Sequence, residues 1–390
     1  MNVPKLRFKE FNDEWQPINL ADIFQYFSTN SLSREQLSES GILKNLHYGD
    51  IHRKYNSIVN ETKEITSYVK DINYINKYKL LKNNDLIFAD ASEDYEGIGK
   101  AVEVVNVNNN TVSGLHTILA RDNSNVFAPM FKGYYFNSPT IHNQIRVLAN
   151  GFKVYGISKE VINKLNIKIP SINEQSKIAN TLYLLDEKIE LQTKKIEDLK
   201  LFKKGLLYNE KRNNKAWNEY KISDSMNITR GTVIPKTEIS KCLNNEFRYP
   251  VYSSQTSNNG ILGYDNKYDF NGKFLTWTTD GANAGKVFYR EGKFRCTNVC
   301  GILYNKDNRY VSELTAELLN IETPKYVSYV GNPKLMNNVM SNIIIKLPNS
   351  SRDHFFSSIL KIINKTLTIE EEKLDKLFEL KKGLMQNMFV

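Results

Sequence analysis

SINEQSKIANTLYLLDEKIELQTKKIEDLKLFKKGL, residues 171–206, and NSSRDHFFSSILKIINKTLTIEEEKLDKLFELKKGL, residues 349–384, decide how this 390-residue chain folds. They align without a gap at an offset of 178, and Lys203-Lys204-Gly205-Leu206 falls on Lys381-Lys382-Gly383-Leu384. Hydrophobic positions recur at alternating steps of four and three. The first row runs Ile178, Leu182, Leu185, Ile189, Gln192, Ile196, Leu199, Lys203, Leu206; the second runs Phe356, Leu360, Ile363, Leu367, Glu370, Leu374, Leu377, Lys381, Leu384. This is the spacing of a coiled-coil seam over about four heptads, with polar interruptions at matching places. No proline interrupts either stretch, and a helix of this length would extend roughly 54 Å. Two amphipathic helices packed on their own globules remain an alternative. Two equal seams in one chain more directly satisfy each other as an antiparallel pair. The KKGL ends also have a local reading, because cations and glycine suit a helix C-terminus.

Working outward, each helix follows a short apolar run ending in proline, LNIKIP at 165–170 and IIIKLP at 343–348. Fainter echoes lie upstream. Trp15, Leu20 and Asp22 align with Trp217, Ile222 and Asp224; Gly99-Lys100-Ala101 resembles Gly285-Lys286-Val287; Ile118-Leu119 echoes Ile302-Leu303. The order is globule (1–170), long helix (171–210), globule (211–348), long helix (349–390), a duplication. Short β-branched and aromatic runs alternate with turn clusters such as Asn108-Asn109-Asn110 and Asn258-Asn259-Gly260. The expected fold is α/β (α+β): two small mixed domains separated by two long helices forming an antiparallel coiled coil, a pseudo-twofold internal repeat.

Composition narrows the class. With 41% hydrophobic and 25% charged residues, a packed soluble protein is expected. No apolar run of about 18 residues suggests a membrane span, and residues 1–10 lack the apolar stretch of a signal peptide. The expected location is the cytoplasm. Cys242, Cys296 and Cys300 are too few for a disulfide scaffold, and the C-x3-C pair has no two further ligands nearby, so they read as buried or free thiols. The net charge is +10, and residues 211–346 carry 19 basic against 12 acidic residues. That excess favours a polyanionic partner.

No catalytic constellation stands out. Asn332-Pro333-Lys334 only approaches the Asn/Asp-Pro-Pro-aromatic motif of an amino-methyltransferase, and Gly97-x-Gly99-Lys100 has the spacing of neither a P-loop nor a dinucleotide fingerprint. His47 and His52 have no nucleophile paired with them. Asp90, Glu93, Asp94 and Glu96 read as a solvated acidic loop rather than a metal site. Both globules do carry loops suited to DNA. The stretch 46–55, Leu-His-Tyr-Gly-Asp-Ile-His-Arg-Lys-Tyr, reads as a loop interleaving aromatic and basic groups, and 252–260 offers amides and hydroxyls. Such groups read base edges while cations hold phosphate.

At this point the pattern resembles a known family. Pro4-Lys5-Leu6-Arg7-Phe8 through Glu14-Trp15, the IKIP and IKLP boundaries, the two KKGL helices, Tyr252-Ser253-Ser254, Asn259-Gly260-Ile261 and Asp280 to Val287 (DGANAGKV) are similar to the specificity (S) subunits of type I restriction-modification enzymes. The first half departs at Asp90 to Lys100. The resemblance implies a non-catalytic subunit of a heteromultimer whose two target recognition domains each read half of a split double-stranded DNA target. It also implies docking of modification (methyltransferase) subunits on the helices. S-adenosylmethionine, ATP and magnesium would then sit on modification and restriction (translocase/nuclease) subunits, with no cofactor or metal on this chain. The DNA-contacting side chains expected are His47, Tyr48, Arg53, Lys54, Ser92 and Lys100 in the first domain and Ser253, Ser254, Gln255, Asn283 and Lys286 in the second. Three other readings stay open: a coiled-coil scaffold, an RNA binder and a self-sufficient methyltransferase-nuclease.

Overall fold

The computed structural model describes residues 3–74, 77–151, 154–213, 217–305 and 310–390. The two repeated stretches are continuous helices, Ile172–Asn213 and Ser350–Asn387. The chain divides into two compact units whose boundaries cut across both helices: Met1–Thr193 with Glu372–Val390, and Lys194–Glu371. Each unit therefore contains a globule, part of the helix that follows it and part of the other helix.

Within each unit the helices run antiparallel. In the first, Lys381 Nζ lies 2.5 Å from Asp186 Oδ1, while Ile178 and Leu182 share a core with Met388 and Phe389. In the second, Lys195 reaches Glu370 at 3.1 Å and Lys203 reaches Asn364 Oδ1 at 2.7 Å, partners descending one helix as they ascend the other. Asp186–Lys381 and Asn364–Lys203 are the same pair under the 178-residue offset. Both are also tied to a globule. Tyr134 Oη donates to Asp186 at 3.0 Å, and Lys203 donates to Glu317 at 2.5 Å.

Burial follows the heptad row. Ile178, Leu182, Leu185, Ile189, Ile196, Phe356, Leu360, Ile363 and Leu367 are buried, and Gln192, Leu199, Leu374 and Leu377 are partly so. Glu370 is buried in the row with Lys195 on its carboxylate. A polar group there costs stability and restricts the registers available.

The main sheets of the two globules share the order of five strands. The first has a five-stranded sheet in the order Phe24–Phe27, Thr117–Asp122, Leu86–Ala89, Ala101–Val105, Ile58–Asn60. The second has a six-stranded sheet in the order Asn227–Arg230, Cys300–Tyr304, Phe270–Thr278, Val287–Cys296, Tyr249–Tyr252, Ile261–Asp265. Their registers match: Ala89 faces Thr117 as Thr278 faces Cys300, and Phe88 faces Ala101 as Trp277 faces Val287. An entry strand also pairs with the strand before each helix, Gln16 facing Ile169 and Asn218 facing Leu347. The counterpart of Ile302 is Leu119, not Ile118, so the echo drawn from sequence is one residue out. A one-residue slip would exchange the faces of a strand, and Leu119 and Ile302 are both buried. The first globule adds a four-stranded sheet, Thr111–Ser113, Lys44–Leu46, Tyr68–Val69, Leu37–Ser38, with the first two parallel.

The first core gathers Trp15, Phe88, Phe131, Tyr134, Tyr135 and Phe136, together with Met388 and Phe389 from the far end of the sequence. The Phe389 ring lies 6.0 Å from Phe131 and 5.7 Å from Tyr135, and Leu6 N–H donates to Asn387 O at 2.8 Å. Phe389→Ala is expected to cost the first unit about 3–5 kcal/mol, whereas Gln386→Ala, at an exposed position, should cost within about 0.5 kcal/mol. Denaturant unfolding followed by limited proteolysis checks this. Equal stability of the two variants would show that the chain end is not part of the first core.

Candidate nucleic-acid interface

In each unit three separate segments converge where the central strand ends, and the backbone bonds that join them are the same. Ala89 N–H donates to Lys100 O at 2.9 Å, Asp90 N–H to His116 O at 3.1 Å, and Ile157 N–H to Asp90 O at 2.9 Å. In the second unit Thr278 N–H donates to Lys286 O at 3.0 Å, Thr279 N–H to Val299 O at 3.1 Å, and Leu335 N–H to Thr279 O at 2.9 Å. The residue before each lysine is a glycine in the left-handed region, Gly99 at φ +70° and Gly285 at φ +86°. A Cβ on Gly99 would lie 2.5 Å from Ile145 Cγ2, so the turn needs glycine for space as well as for φ.

The side chains hung on this frame differ. In the first unit Tyr48 lies among three imidazoles, with ring centroids 4.7 Å from His47, 6.1 Å from His52 and 5.2 Å from His116. His52 Nε2 is 2.9 Å from Ala91 O, and His116 Nδ1 is 3.2 Å from Asp90 Oδ1. His116 is exposed and holds φ +52°, an uncommon conformation for a residue with a side chain. The stretch 46–55, read from sequence as a loop, contains a helix, Tyr48–Arg53, whose N-cap is His47: its Nδ1 accepts from Gly49 N–H at 3.1 Å. Six residues are too few for apolar periodicity to reveal a helix.

The remaining expected residues have different surroundings. Lys100 Nζ donates to Tyr55 O at 2.7 Å and His52 O at 3.3 Å, and burial followed by Lys381 lowers its pKa. It fastens the Tyr48–Arg53 helix to the glycine turn. Ser92 is buried, and its backbone pairs with Tyr155. Arg53 is exposed; Lys54 is exposed with Nζ 3.2 Å from Asp50, whose carboxylate also takes both Arg34 terminal nitrogens at 2.9 and 2.8 Å. The acidic loop is engaged in part, Glu96 with Arg146 and Asp94 with Gly97 N–H.

In the second unit Asn283 and Lys286 are exposed on the glycine turn, and Ser253, Ser254 and Gln255 are half-buried. Ser253 Oγ accepts from Thr297 Oγ1 at 3.2 Å, and Gln255 Nε2 donates to Ile261 O. Asn258, Asn259 and Gly260 all have positive φ, closing the loop so that Ser253 N–H reaches Gly260 O at 3.1 Å. Beneath it lies the buried Arg290, its guanidinium carbon 3.7 Å from the Tyr252 ring centroid and 4.4 Å from that of Phe288. Its Nε donates to Thr276 Oγ1 at 3.2 Å. Burial lowers the Arg290 pKa, and its contact with Tyr252 opposes that shift. A hydrogen bond and aromatic faces thus support this buried cation. Arg230, from the edge strand, donates to Thr279 Oγ1 at 3.1 Å and lies 3.7 Å from Asp280. The sequence reading missed His116, Arg230 and Arg290, which no local motif marks. The free thiols Cys296 and Cys300 are buried behind the turn.

The His47 cap gives the first unit a pH signature. Burial, followed by the Arg34 charge, pushes its pKa down to about 4, against roughly 6.5 in an unfolded chain. A lowered folded pKa supplies stability that is complete above about 6.5 and disappears as pH falls toward 4. His47→Asn keeps a capping oxygen without that titration and should make acid destabilisation of the first unit shallower between pH 6.5 and 4. His142, lowered mainly by burial, keeps its share. An unchanged slope in denaturation midpoints across that window would contradict the capping role.

Comparison with known proteins follows the same duplication. The family model for the type I restriction modification DNA specificity domain matches residues 12–201 and again 214–379. A type I specificity subunit N-terminus of Mycoplasma pneumoniae is 42% identical over 142 residues, covering 36% of this chain and 74% of that one. A second specificity subunit from the same organism is 33% identical over 226 residues, 56% of this chain and 91% of its own. The crystal structure of the type I restriction-modification S subunit from M. genitalium superposes with a TM-score of 0.72 at 15% identity, covering 100% of this chain and 99% of that one, a likeness of fold. Among the described residues no helix is long and apolar enough to cross a membrane. The chain belongs to the type I restriction-modification DNA specificity family and carries its domain twice.

Proposed function

We propose that this chain is the DNA-reading subunit of a type I restriction-modification complex, with each unit reading one half of a bipartite double-stranded target. The observation carrying this reading is the frame built twice with the same three backbone bonds. One scaffold bearing different side chains is what two readers of two sequences require. The first offers Tyr48 and His116 beside Arg53 and Lys54; the second offers Ser253, Ser254, Gln255 and Asn283 beside Lys286. Short amides, hydroxyls and rings reach base edges, and the exposed cations hold phosphate. Lys100 supports the first reader from inside. In this reading methyl transfer and cleavage belong to modification and restriction subunits, which bind S-adenosylmethionine, ATP and magnesium.

The helices supply a docking face, although not the residues of the hydrophobic seam. Most of those are buried, Ile178 and Leu182 in the first globule's core and Phe356 and Leu360 in the second's. A second heptad step lies outside: Leu184 and Leu191 on the first helix are exposed, as are Ile362 and Ile369, their counterparts at the 178-residue offset, on the second. Exposed apolar rows on a helix surface mark protein contacts. Two equivalent rows suit two copies of one partner, the modification subunit.

Two experiments test this. Exchanging residues 218–346 for the matching segment of another specificity subunit should change one half of the methylated sequence and leave the other intact. A change in both halves would refute two independent readers. Replacing Leu184 and Leu191 by Asp should lower the number of bound modification subunits from two to one by native mass spectrometry; retention of both would remove the outer row from the interface.

A further inference from the structure

A pair of hairpins beside the two reading frames has no role in the preceding scheme. Ser328 and Lys334 bond reciprocally, each N–H donating to the other's carbonyl at 2.9 Å. Their turn carries Tyr329 at 68% exposure and Val330 at 92%, with Gly331 at φ +75°. Asn150 and Gly156 form the corresponding bridge in the first unit, at 3.0 and 2.7 Å, with Gly151 at φ +129° and Val154 57% exposed. Both ends fall at the 178-residue offset that relates the helices, so the two bridges are one duplicated feature.

Their roots are fixed to the reading frames. Leu335 N–H donates to Thr279 O at 2.9 Å, Gly281 N–H to Pro333 O at 3.0 Å, and Trp277 Nε1 to Leu335 O at 3.0 Å. In the first unit Ile157 N–H takes the equivalent bond to Asp90 O, and Tyr155 pairs with Ser92. Arg230 and the exposed Lys334 flank the second hairpin. Single exposed apolar residues are ordinary. Here they crown a turn whose root is bonded to the loop assigned to base reading, and cations stand beside it. Duplex DNA matches that arrangement: phosphates pair with the cations while apolar groups press on sugars or base steps.

We propose that the tip of the second hairpin, Tyr329 with Val330, is an apolar wedge that presses between base pairs next to those being read. The wedge loosens their stacking. This rests on the DNA-reading function proposed above. It adds a deformation-dependent selection, favouring easily unstacked steps at positions where no hydrogen bond is made.

The test uses the full chain assembled with its modification subunits and duplexes carrying the sequence it methylates. 2-Aminopurine is placed at successive positions across and beside the second half-target. A fluorescence rise at one flanking position is expected with the unaltered chain. The double variant Tyr329→Ser with Val330→Ser should lose it and bind roughly tenfold more weakly. Its dependence on salt should not change, because no phosphate contact has been removed. Target binding with no fluorescence rise at any position, or unaltered affinity in the double variant, would overturn the wedge while leaving DNA reading intact. Equal binding of target and scrambled duplexes by the unaltered chain would instead overturn the reading function and the wedge together. Loss of subunit assembly with unchanged DNA affinity would assign the tip to a protein partner and overturn the wedge.

Discussion

An apolar row that repeats every three and four residues over 36 residues must be covered along its whole length. In this chain neither globule does so with its own helix alone. In the first unit Ile178 and Leu182 share a core with Met388 and Phe389, from the helix that follows the second globule. In the second unit Leu207, near the end of the central helix, is buried with Phe356 and Leu360. Completing one globule's core thus requires a segment that belongs, by sequence, to the repeat unit of the other. The lysine of each KKGL motif gives this exchange its polar anchor, Lys381 on Asp186 and Lys203 on Asn364 and Glu317. Those lysines are seam residues with defined partners, a stronger role than helix-end cations in general would have.

From that duplication follow the two reading frames. The IKIP and IKLP strands fix the entry strand opposite each helix start, and the sheet registers then bring strand end, glycine turn and following turn together. The backbone bonds at this junction are common to both units, whereas the side chains are not. Tyr48 with its imidazoles occupies one face; serine, glutamine and asparagine occupy the other. A frame held by main-chain bonds allows its surface residues to change without loss of the fold, the property required of a reader whose target varies.

Much of this organisation was legible in the sequence because periodicity survives substitution. The seam, the polar positions Gln192 and Glu370, the 178-residue offset and the 202-residue offset of Trp15, Leu20 and Asp22 from Trp217, Ile222 and Asp224 are all carried by spacing. The site was less legible. Helix Tyr48–Arg53 is too short for a periodic signal, and its cap is a histidine rather than one of the usual oxygen-bearing residues. The hairpins Asn150–Gly156 and Ser328–Lys334 share no residue identity, although continuing the helix offset upstream of the prolines would have found them. The outer row, Leu184, Leu191, Ile362 and Ile369, was visible as a second seven-residue spacing, overshadowed by the seam. Lys100 shows why a glycine-lysine turn does not by itself predict a phosphate contact: its ammonium is taken by two backbone carbonyls of its own domain.

The most direct test of two readers in one chain is the pattern of methylation they produce. Cells lacking other restriction-modification systems would express this chain with its modification subunits, and their genome would be sequenced by a method that detects modified bases. Two readers should yield a single interrupted motif, two specified blocks flanking a stretch of fixed length with no sequence preference. One uninterrupted block, or modification without sequence preference, would contradict the assignment of one half-target to each unit.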